Sequence, residues 1–203
     1  MLVGEEGIEK LNKSSVIVFG IGGVGSYVVE SLVRSGIGKI TMVDFDEISE
    51  SNINRQIHAL KSTVGKSKIE VMKERILDIN PECEVVLKKK LVFENVSEIF
   101  EEDGEKYDFA VSRAVAELRI LVEYLLPLVK VGGKVIAMKG PNIDEEVENA
   151  KKAVKLLGGE IERIESFRLG NTDNERTVII IKKIKNTELK YPRKAGIPRK
   201  NPL

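Results

Sequence analysis

Short apolar runs alternate along the chain with segments whose apolar residues recur at helical spacing. The runs 15–19 and 39–43 are rich in β-branched residues, as in strands that are buried on both faces of a parallel sheet. Between them the spacing predicts a helix that ends near Gly36, and a further helix ends before Pro81. That helix carries one apolar face, formed by Ile69, Met72, Ile76 and Ile79. The first 81 residues therefore predict strand, helix, strand and helix.

The same alternation continues to the end of the chain. It predicts strands at 83–87, 107–112 and 134–138, and helices at 94–102, 114–129 and 144–157. The last two strands, 161–167 and 177–184, are joined by the turn-rich GNTDNER and predict an antiparallel hairpin. We therefore expect an α/β protein of the three-layer Rossmann-like class, with a mainly parallel, doubly wound sheet and a C-terminal antiparallel hairpin strand. Residues 185–203 hold three of the six prolines and predict an extended arm.

Composition narrows the class of protein. A chain of 203 residues with 42% hydrophobic and 32% charged residues fits one globular domain over residues 1–203. One histidine and one cysteine exclude a disulfide framework, a cysteine-rich zinc site and a histidine cluster, so we expect no metal site of the protein's own. The start MLVGEEGIEKL does not resemble a signal peptide, and no apolar run approaches 18 residues. These features predict a cytoplasmic protein without a membrane span.

The net charge of +1 hides an uneven distribution. Residues 1–105 hold 13 basic and 19 acidic residues, whereas residues 106–203 hold 20 basic and 13 acidic ones. Eight basic residues and one acidic residue lie in the last 22 positions. Such a basic terminus is typical of a segment that contacts nucleic acid, and the alternative is a disordered, solubilising tail.

A glycine-rich motif predicts a nucleotide site. Residues 20–25 match G-x-G-x-x-G between the first strand and its helix, and Asp44 follows 19 residues later at the end of the second strand. Glycines let the backbone approach a phosphate, the helix start offers unpaired N–H groups, and the acid accepts hydrogen bonds from ribose hydroxyls. NAD, ATP and S-adenosylmethionine all use this arrangement, and a turn without ligand is the alternative. The tripeptide Gly65-Lys66-Ser67 does not belong to a Walker A loop, because that motif needs a glycine at position 60, where this chain has Leu.

The motifs GIGGVGS, DFD, SNINRQ and VGKSK together resemble the ThiF/MoeB superfamily of ATP-dependent adenylating enzymes. The segments GEEGIEKL and NINRQIHALKSTVGKSKIEVMKERILDINPEC are similar to its tRNA threonylcarbamoyladenosine dehydratase branch, over residues 1 to about 100. The resemblance implies ATP with Mg²⁺ as the cofactor and Asp44 on the ribose. It implies phosphate contacts from Asn52, Arg55 and Lys68. It also places Gly22, Gly23 and Gly25 against the nucleotide, and Gly20, the first glycine of the motif, is a further candidate for cofactor binding.

From about residue 106 the chain resembles another family. EKYDFAVSRAVAELRILVEYLLPLVKVGGKVIAMKG and the closing ELKYPRKAGIPRKNPL are similar to the small-subunit ribosomal RNA guanine methyltransferase of the glucose-inhibited division B type, which uses S-adenosylmethionine. The resemblance implies that Arg113 lies beside the cofactor. It also implies ribosomal RNA contacts from five basic residues, four of them in the arm 185–203: Lys139, Arg193, Lys194, Arg199 and Lys200.

The two resemblances meet between about residues 100 and 107 and divide the predicted domain into segments 1–104 and 105–203. Each segment lacks parts of its family: the adenylating relatives carry an Asp where this chain has Ser112 or Arg113, and the methyltransferase's own glycine loop is replaced. The main hypothesis is a recombinant or engineered Rossmann-like chimera with an adenine-nucleotide cleft, no efficient catalysis and no identified catalytic residue.

Three enzymatic alternatives remain open. They are an S-adenosylmethionine-dependent rRNA guanine methyltransferase, an ATP-dependent adenylating enzyme and, last, an NAD dehydrogenase, for which no hydride-transfer acid or base stands out. The adenylating relatives make a homodimer a further hypothesis. We interpret His58 and Cys83 as structural residues.

Overall fold

The computed structural model of the chain describes residues 4–91, 96–104, 106–113, 116–170 and 172–203. It contains two compact units, Met1–Val92 and Phe93–Leu203. In both units strands alternate with helices, except that the last two strands of the second unit follow each other directly.

The first unit holds three strands that all run parallel. β1 pairs with β2 and β2 with β3, each in a regular five-residue register. β1 and β2 are buried from their second residue onward because their side chains are mostly apolar and β-branched, as the pattern predicts. β3 is only partly buried, since Val85, Val86 and Leu87 are of intermediate exposure. The elements are α1 (Gly4–Asn12), β1 (Ser15–Phe19), α2 (Gly25–Arg34), β2 (Lys39–Val43), α3 (Lys68–Ile79) and β3 (Glu84–Lys88).

The second unit combines one parallel and two antiparallel strand pairs. β4 pairs with β5 in parallel, β5 with β7 in antiparallel orientation, and β7 with β6 in antiparallel orientation, so β7 lies between β5 and β6. The elements are α4 (Val96–Asp103), β4 (Tyr107–Arg113), α5 (Leu118–Leu125), β5 (Val129–Lys139), α6 (Asp144–Leu156), β6 (Gly159–Arg168), β7 (Glu175–Lys183) and α7 (Ile197–Lys200).

This arrangement confirms the predicted fold class. The chain is an α/β protein of Rossmann-like type, with mainly parallel strand pairs and an antiparallel C-terminal hairpin. In the described ranges, no helix has the length and apolar character needed to span a membrane.

One predicted helix was wrong in its extent. The spacing predicted a helix over 114–129, but α5 ends at Leu125, a 3-10 helix occupies Leu126–Leu128, and β5 already begins at Val129. Pro127 has no N–H to continue an α-helical hydrogen-bond ladder, which explains the early end. Positions 114 and 115, and positions 94 and 95 of the predicted acidic helix, lie outside the described residues.

The C-terminal segment was wrongly predicted as an extended arm. It contains α7 and three buried residues: Thr187, Tyr191 and Pro198. Its start is anchored by Lys183, whose fully buried ammonium donates to the Leu126 carbonyl and to the Thr187 hydroxyl, both at 2.6 Å. The segment therefore packs against the rest of the second unit instead of extending into solvent.

Candidate nucleotide site

The glycine motif forms a tight turn between β1 and α2. Gly20 has a φ of +85°, and its N–H donates to the Val43 carbonyl at 2.9 Å. A Cβ atom on Gly25 would lie only 1.8 Å from the Gly20 carbonyl oxygen. Both positions require glycine, the first for its backbone conformation and the second for the close approach of helix and strand.

Asp44 is tied directly to this turn. The side chain is 7% exposed, and its Oδ2 accepts a hydrogen bond from the Ile21 N–H at 2.6 Å. Its Oδ1 accepts from the Asp46 N–H at 2.8 Å. Since a carboxylate offers about four lone-pair sites, Asp44 can accept further hydrogen bonds from a ligand. The structure thus brings together the glycine motif and the acid that the sequence placed 19 residues apart.

The SNINRQ motif lies against the same turn. Asn52 is buried, and its Oδ1 accepts a hydrogen bond from the Ser49 N–H at 3.2 Å. The side chain of Arg55 passes Gly23 so closely that a Cβ atom there would be 3.3 Å from Arg55 Cγ. The exposed guanidinium donates to the Ser51 carbonyl at 2.6 Å. A cation is therefore held next to the glycine backbone.

Gln56 is a neighbour of the turn that sequence reasoning missed. It is buried, and its Nε2 lies 3.9 Å from where a Cβ atom on Gly22 would be. Its Oε1 has no hydrogen-bond partner among the described residues. Its position directly after Arg55 in the SNINRQ motif could have identified Gln56 as a candidate. A buried amide without a hydrogen-bond partner is a candidate contact for a polar ligand.

Lys68 joins the DFD and VGKSK motifs. Its Nζ donates to Asp46 Oδ2 at 2.7 Å, and its side chain is only 7% exposed although that of Asp46 is 66% exposed. Burial and the positive charge of Lys68 lower the pKa of His58 to about 4, so that imidazole is neutral at physiological pH. Neither ring nitrogen has a hydrogen-bond partner in the described part of the chain, and the ring is 2% exposed.

The predicted methyltransferase-type residues lie in the second unit. Arg113 ends β4 and is exposed, next to the buried Ser112. Lys139 ends β5, is buried, and donates to Glu146 Oε1 and to the Ala116 carbonyl. It lines a cavity of about 500 Å³ together with Ala116, Glu117, Asn142, Glu145, Glu146 and Asn149. Lys139 therefore lines this cavity while its ammonium group is paired with Glu146.

The basic residues of the C-terminal segment differ in their surroundings. Arg193 donates to Glu123 through its backbone N–H at 3.0 Å and through Nε and Nη2 at 2.7 and 2.6 Å. Glu123 is fully buried, and this ion pair raises the pKa of Arg193. The other three predicted RNA contacts are exposed: Lys194, Arg199 and Lys200. Arg193 thus fastens the segment, and an exposed basic surface remains beside it.

No cluster of three or more His, Cys, Asp or Glu residues suited to a metal ion occurs among the residues described.

Two family models match the chain. The model of the ThiF family matches residues 1–114, which is more than half of the sequence, and the chain belongs to this family. The model of rRNA small subunit methyltransferase G matches residues 83–178. The two-part resemblance predicted from the sequence is confirmed, and the predicted junction near residues 100–107 falls where the two matches overlap.

Individual relatives show the same division. The tRNA threonylcarbamoyladenosine dehydratase of Bacillus subtilis is 44% identical over 133 residues, which cover 64% of this chain and 52% of that protein. Ribosomal RNA small subunit methyltransferase G of Acetivibrio thermocellus is 62% identical over 99 residues, which cover 49% of this chain and 40% of that protein. The chain thus spans about half the length, or less, of these curated relatives.

A solved structure supports the first of these similarities. The crystal structure of E. coli tRNA N6-threonylcarbamoyladenosine dehydratase in complex with ATP matches with a TM-score of 0.60 and 32% identity, covering 77% of this chain and 72% of that chain. The complex of the E. coli enzyme with AMP also matches with a TM-score of 0.60, covering 85% of this chain and 64% of that chain.

Proposed function

We propose that the protein is a Rossmann-like chimera of two families that binds an adenine nucleotide, ATP with Mg²⁺, at residues 20–25 and has no efficient catalysis. The observation that carries the proposal is the hydrogen bond from the Ile21 N–H to Asp44, with Arg55 lying against Gly23 in the same turn. The similar E. coli enzyme was solved with ATP and with AMP, which supports an adenine nucleotide at this motif.

The residues present fit a nucleotide. The close approach at Gly25 keeps the start of α2 near the turn, where N–H groups favour a phosphate. The remaining acceptor sites of Asp44 suit ribose hydroxyls, and Arg55 and Lys68 supply positive charge for phosphates. Lys68 would share its three N–H donors between Asp46 and a phosphate oxygen, and Asn52 and Gln56 would add amide contacts. Bound ATP would supply the adenylyl group for adenylation, with pyrophosphate as the leaving group.

The replacement of family residues supports weak or absent catalysis. Ser112 and Arg113 end β4, where the resemblance implies a Mg²⁺-binding Asp in adenylating enzymes. The matched methyltransferase segment begins at residue 83 of this chain, and the similarity to methyltransferase G of Acetivibrio thermocellus covers 40% of that protein. Neither reaction then has its full set of groups, and misplacing a reactant by about 1 Å can lower a rate ~100-fold.

A second candidate function is S-adenosylmethionine-dependent methylation of ribosomal RNA, the reaction implied by the resemblance from about residue 106 onward. The 62% identity to methyltransferase G favours it. The exposed basic residues Lys194, Arg199 and Lys200 would contact RNA phosphates, which makes any RNA affinity fall as salt rises. Membership of the ThiF family supports ATP-dependent adenylation as the third candidate.

Calorimetric titration of the full chain with Mg-ATP and with S-adenosylmethionine tests the proposal. We expect ATP binding that Asp44→Ala weakens at least about tenfold, because charged hydrogen bonds to the ribose are lost. The matched control Asp173→Ala removes an exposed carboxylate of the second unit and should leave the affinity unchanged. Tighter binding of S-adenosylmethionine would favour the second candidate, and binding of neither ligand would contradict the proposed nucleotide cleft.

Catalysis is tested separately with the same preparation. We expect no pyrophosphate exchange with Mg-ATP and no methyl transfer to small-subunit RNA at an ordinary enzymatic rate. Exchange at such a rate would make the protein an adenylating enzyme, and methyl transfer would make it a methyltransferase.

A further inference from the structure

β6 is an edge strand of the second unit's sheet in the described part of the chain. It stands last in the strand order and pairs only with β7 within the described ranges. All side chains of residues 162–168 are exposed. The outward N–H and C=O groups of an edge strand can pair with a further strand.

A bulge limits which part of β6 can accept that strand. The register with β7 shifts between Ile161 and Arg163, and pairing is regular from Arg163 to Arg168. In the regular part, side chains alternate between the two faces of the sheet. Ser166 shares its face with Thr177, whose hydroxyl lies 2.9 Å from the Ser166 hydroxyl, so Ile164 lies on this face as well. Arg163 and Glu165 lie on the opposite face.

The charge pattern of the regular part is self-complementary in one register. Residues that face each other in an antiparallel strand pair have their side chains on the same side of the sheet. When two copies of one strand pair about a two-fold axis, the axis therefore passes beside one residue, which faces the same residue of the second copy. With the axis at Ile164, Arg163 faces the second copy's Glu165, and Glu165 faces the second copy's Arg163. An axis at Arg163 or at Glu165 sets like charges opposite each other, which destabilises a pair.

We infer that β6 pairs with β6 of a second copy of this chain, antiparallel, about a two-fold axis at Ile164. The side chains already suit this register, since Arg163 Nε lies 3.1 Å from Glu165 Oε1 on the same face and both are exposed. In the dimer, Arg163 and Glu165 each form an ion pair with the oppositely charged residue of the second copy instead of with each other. Pairing also covers Ile164, which is 43% exposed in the single chain. Because the regular segment is short, the dimer forms only at high protein concentration.

Sedimentation velocity of the full chain over a concentration series tests the inference. We expect a concentration-dependent dimer. Arg163→Glu, which sets two pairs of like charges opposite each other, should raise the dimer dissociation constant about tenfold or more. The charge exchange Arg163→Glu with Glu165→Arg should restore it, because both cross-strand pairs regain opposite charges. Lys151→Glu, at an exposed position on α6, serves as the control with an altered net charge.

The outcomes separate the inference from other modes of association. A wild-type chain that stays monomeric throughout the series would overturn it, and so would a dimer that Arg163→Glu leaves intact. Failure of the charge exchange to restore the dimer would exclude the proposed register. Oxidative cross-linking checks the axis independently: Ile164→Cys should form a disulfide-linked dimer faster than Ser166→Cys. The native Cys83 is buried, so the wild-type chain gives the background level of disulfide cross-linking.

Discussion

The ion pair between Glu123 and Arg193 makes a specific prediction about stability. The carboxylate of Glu123 is 0% exposed and accepts three hydrogen bonds from Arg193. In Arg193→Met the backbone N–H remains, but both guanidinium contacts are lost and a buried negative charge loses its partner. Removing one partner of a buried ion pair typically costs about 3–5 kcal/mol of unfolding free energy. Since the side chain of Arg193 is 20% exposed, we expect the lower end, about 3 kcal/mol.

Urea unfolding followed by tyrosine fluorescence measures this loss. The chain has no tryptophan, Tyr124 directly follows Glu123, and Tyr191 lies two positions before Arg193. The double variant Glu123→Leu with Arg193→Met should be less destabilised than Arg193→Met alone, because it leaves no buried charge without a partner. Lys151→Met breaks an exposed ion pair with Glu148 in the same unit and serves as the control with little expected change.

Two results would refute the reasoning on this pair. Arg193→Met could prove no more destabilising than Lys151→Met, which would show that the pair adds little to stability. Alternatively, the double variant could lose as much as the single one, which would assign the loss to packing of the arginine side chain and not to a stranded charge. Faster tryptic cleavage after Lys194 in Arg193→Met would show that the C-terminal segment is released.

Further predictions concern the turn and the buried histidine. Gly25→Ala should destabilise the protein by about 3 kcal/mol in urea unfolding, because the new Cβ meets the Gly20 carbonyl, whereas Gly140→Ala, with no atom within 4 Å, should change little. The folded pKa of His58 is about 4 and the ordinary value is 6.5, so the unfolded chain binds the proton first as pH falls. Stability should therefore decrease from pH 6.5 to pH 4 by up to about 3 kcal/mol, and His58→Phe should remove this contribution; an unchanged pH profile in His58→Phe would contradict the assignment.

Local patterns predicted the fold well because strands and helices follow from neighbouring residues. β1 and β2 have the predicted bounds, since apolar β-branched runs in a parallel sheet are buried on both faces. The predicted strand over 83–87 differs from β3 by one residue at each end. The helix predicted over 114–129 was too long because Pro127 ends the α-helical ladder, which apolar spacing alone does not register.

Partners that are distant in sequence could not be predicted. The sequence motif predicted the glycine turn and Asp44, but the hydrogen bond from the Ile21 N–H to Asp44 is visible only in the structure. Nothing in the basic C-terminal sequence indicated that Arg193 binds Glu123, 70 positions earlier. The burial of such a pair depends on how the segment packs, which a count of charges does not contain.

The buried ammonium of Lys183 has a consequence for chemical labelling. Amine-acylating reagents attack a deprotonated, accessible nitrogen, and this one is enclosed between the Leu126 carbonyl and the Thr187 hydroxyl. Acylation at Lys183 therefore requires the C-terminal hairpin to open, so its rate reports how often opening occurs. An exposed lysine such as Lys190 provides the unprotected reference rate in the same sample. The acylation rate of Lys183 relative to that of Lys190 therefore measures how often the last strand opens.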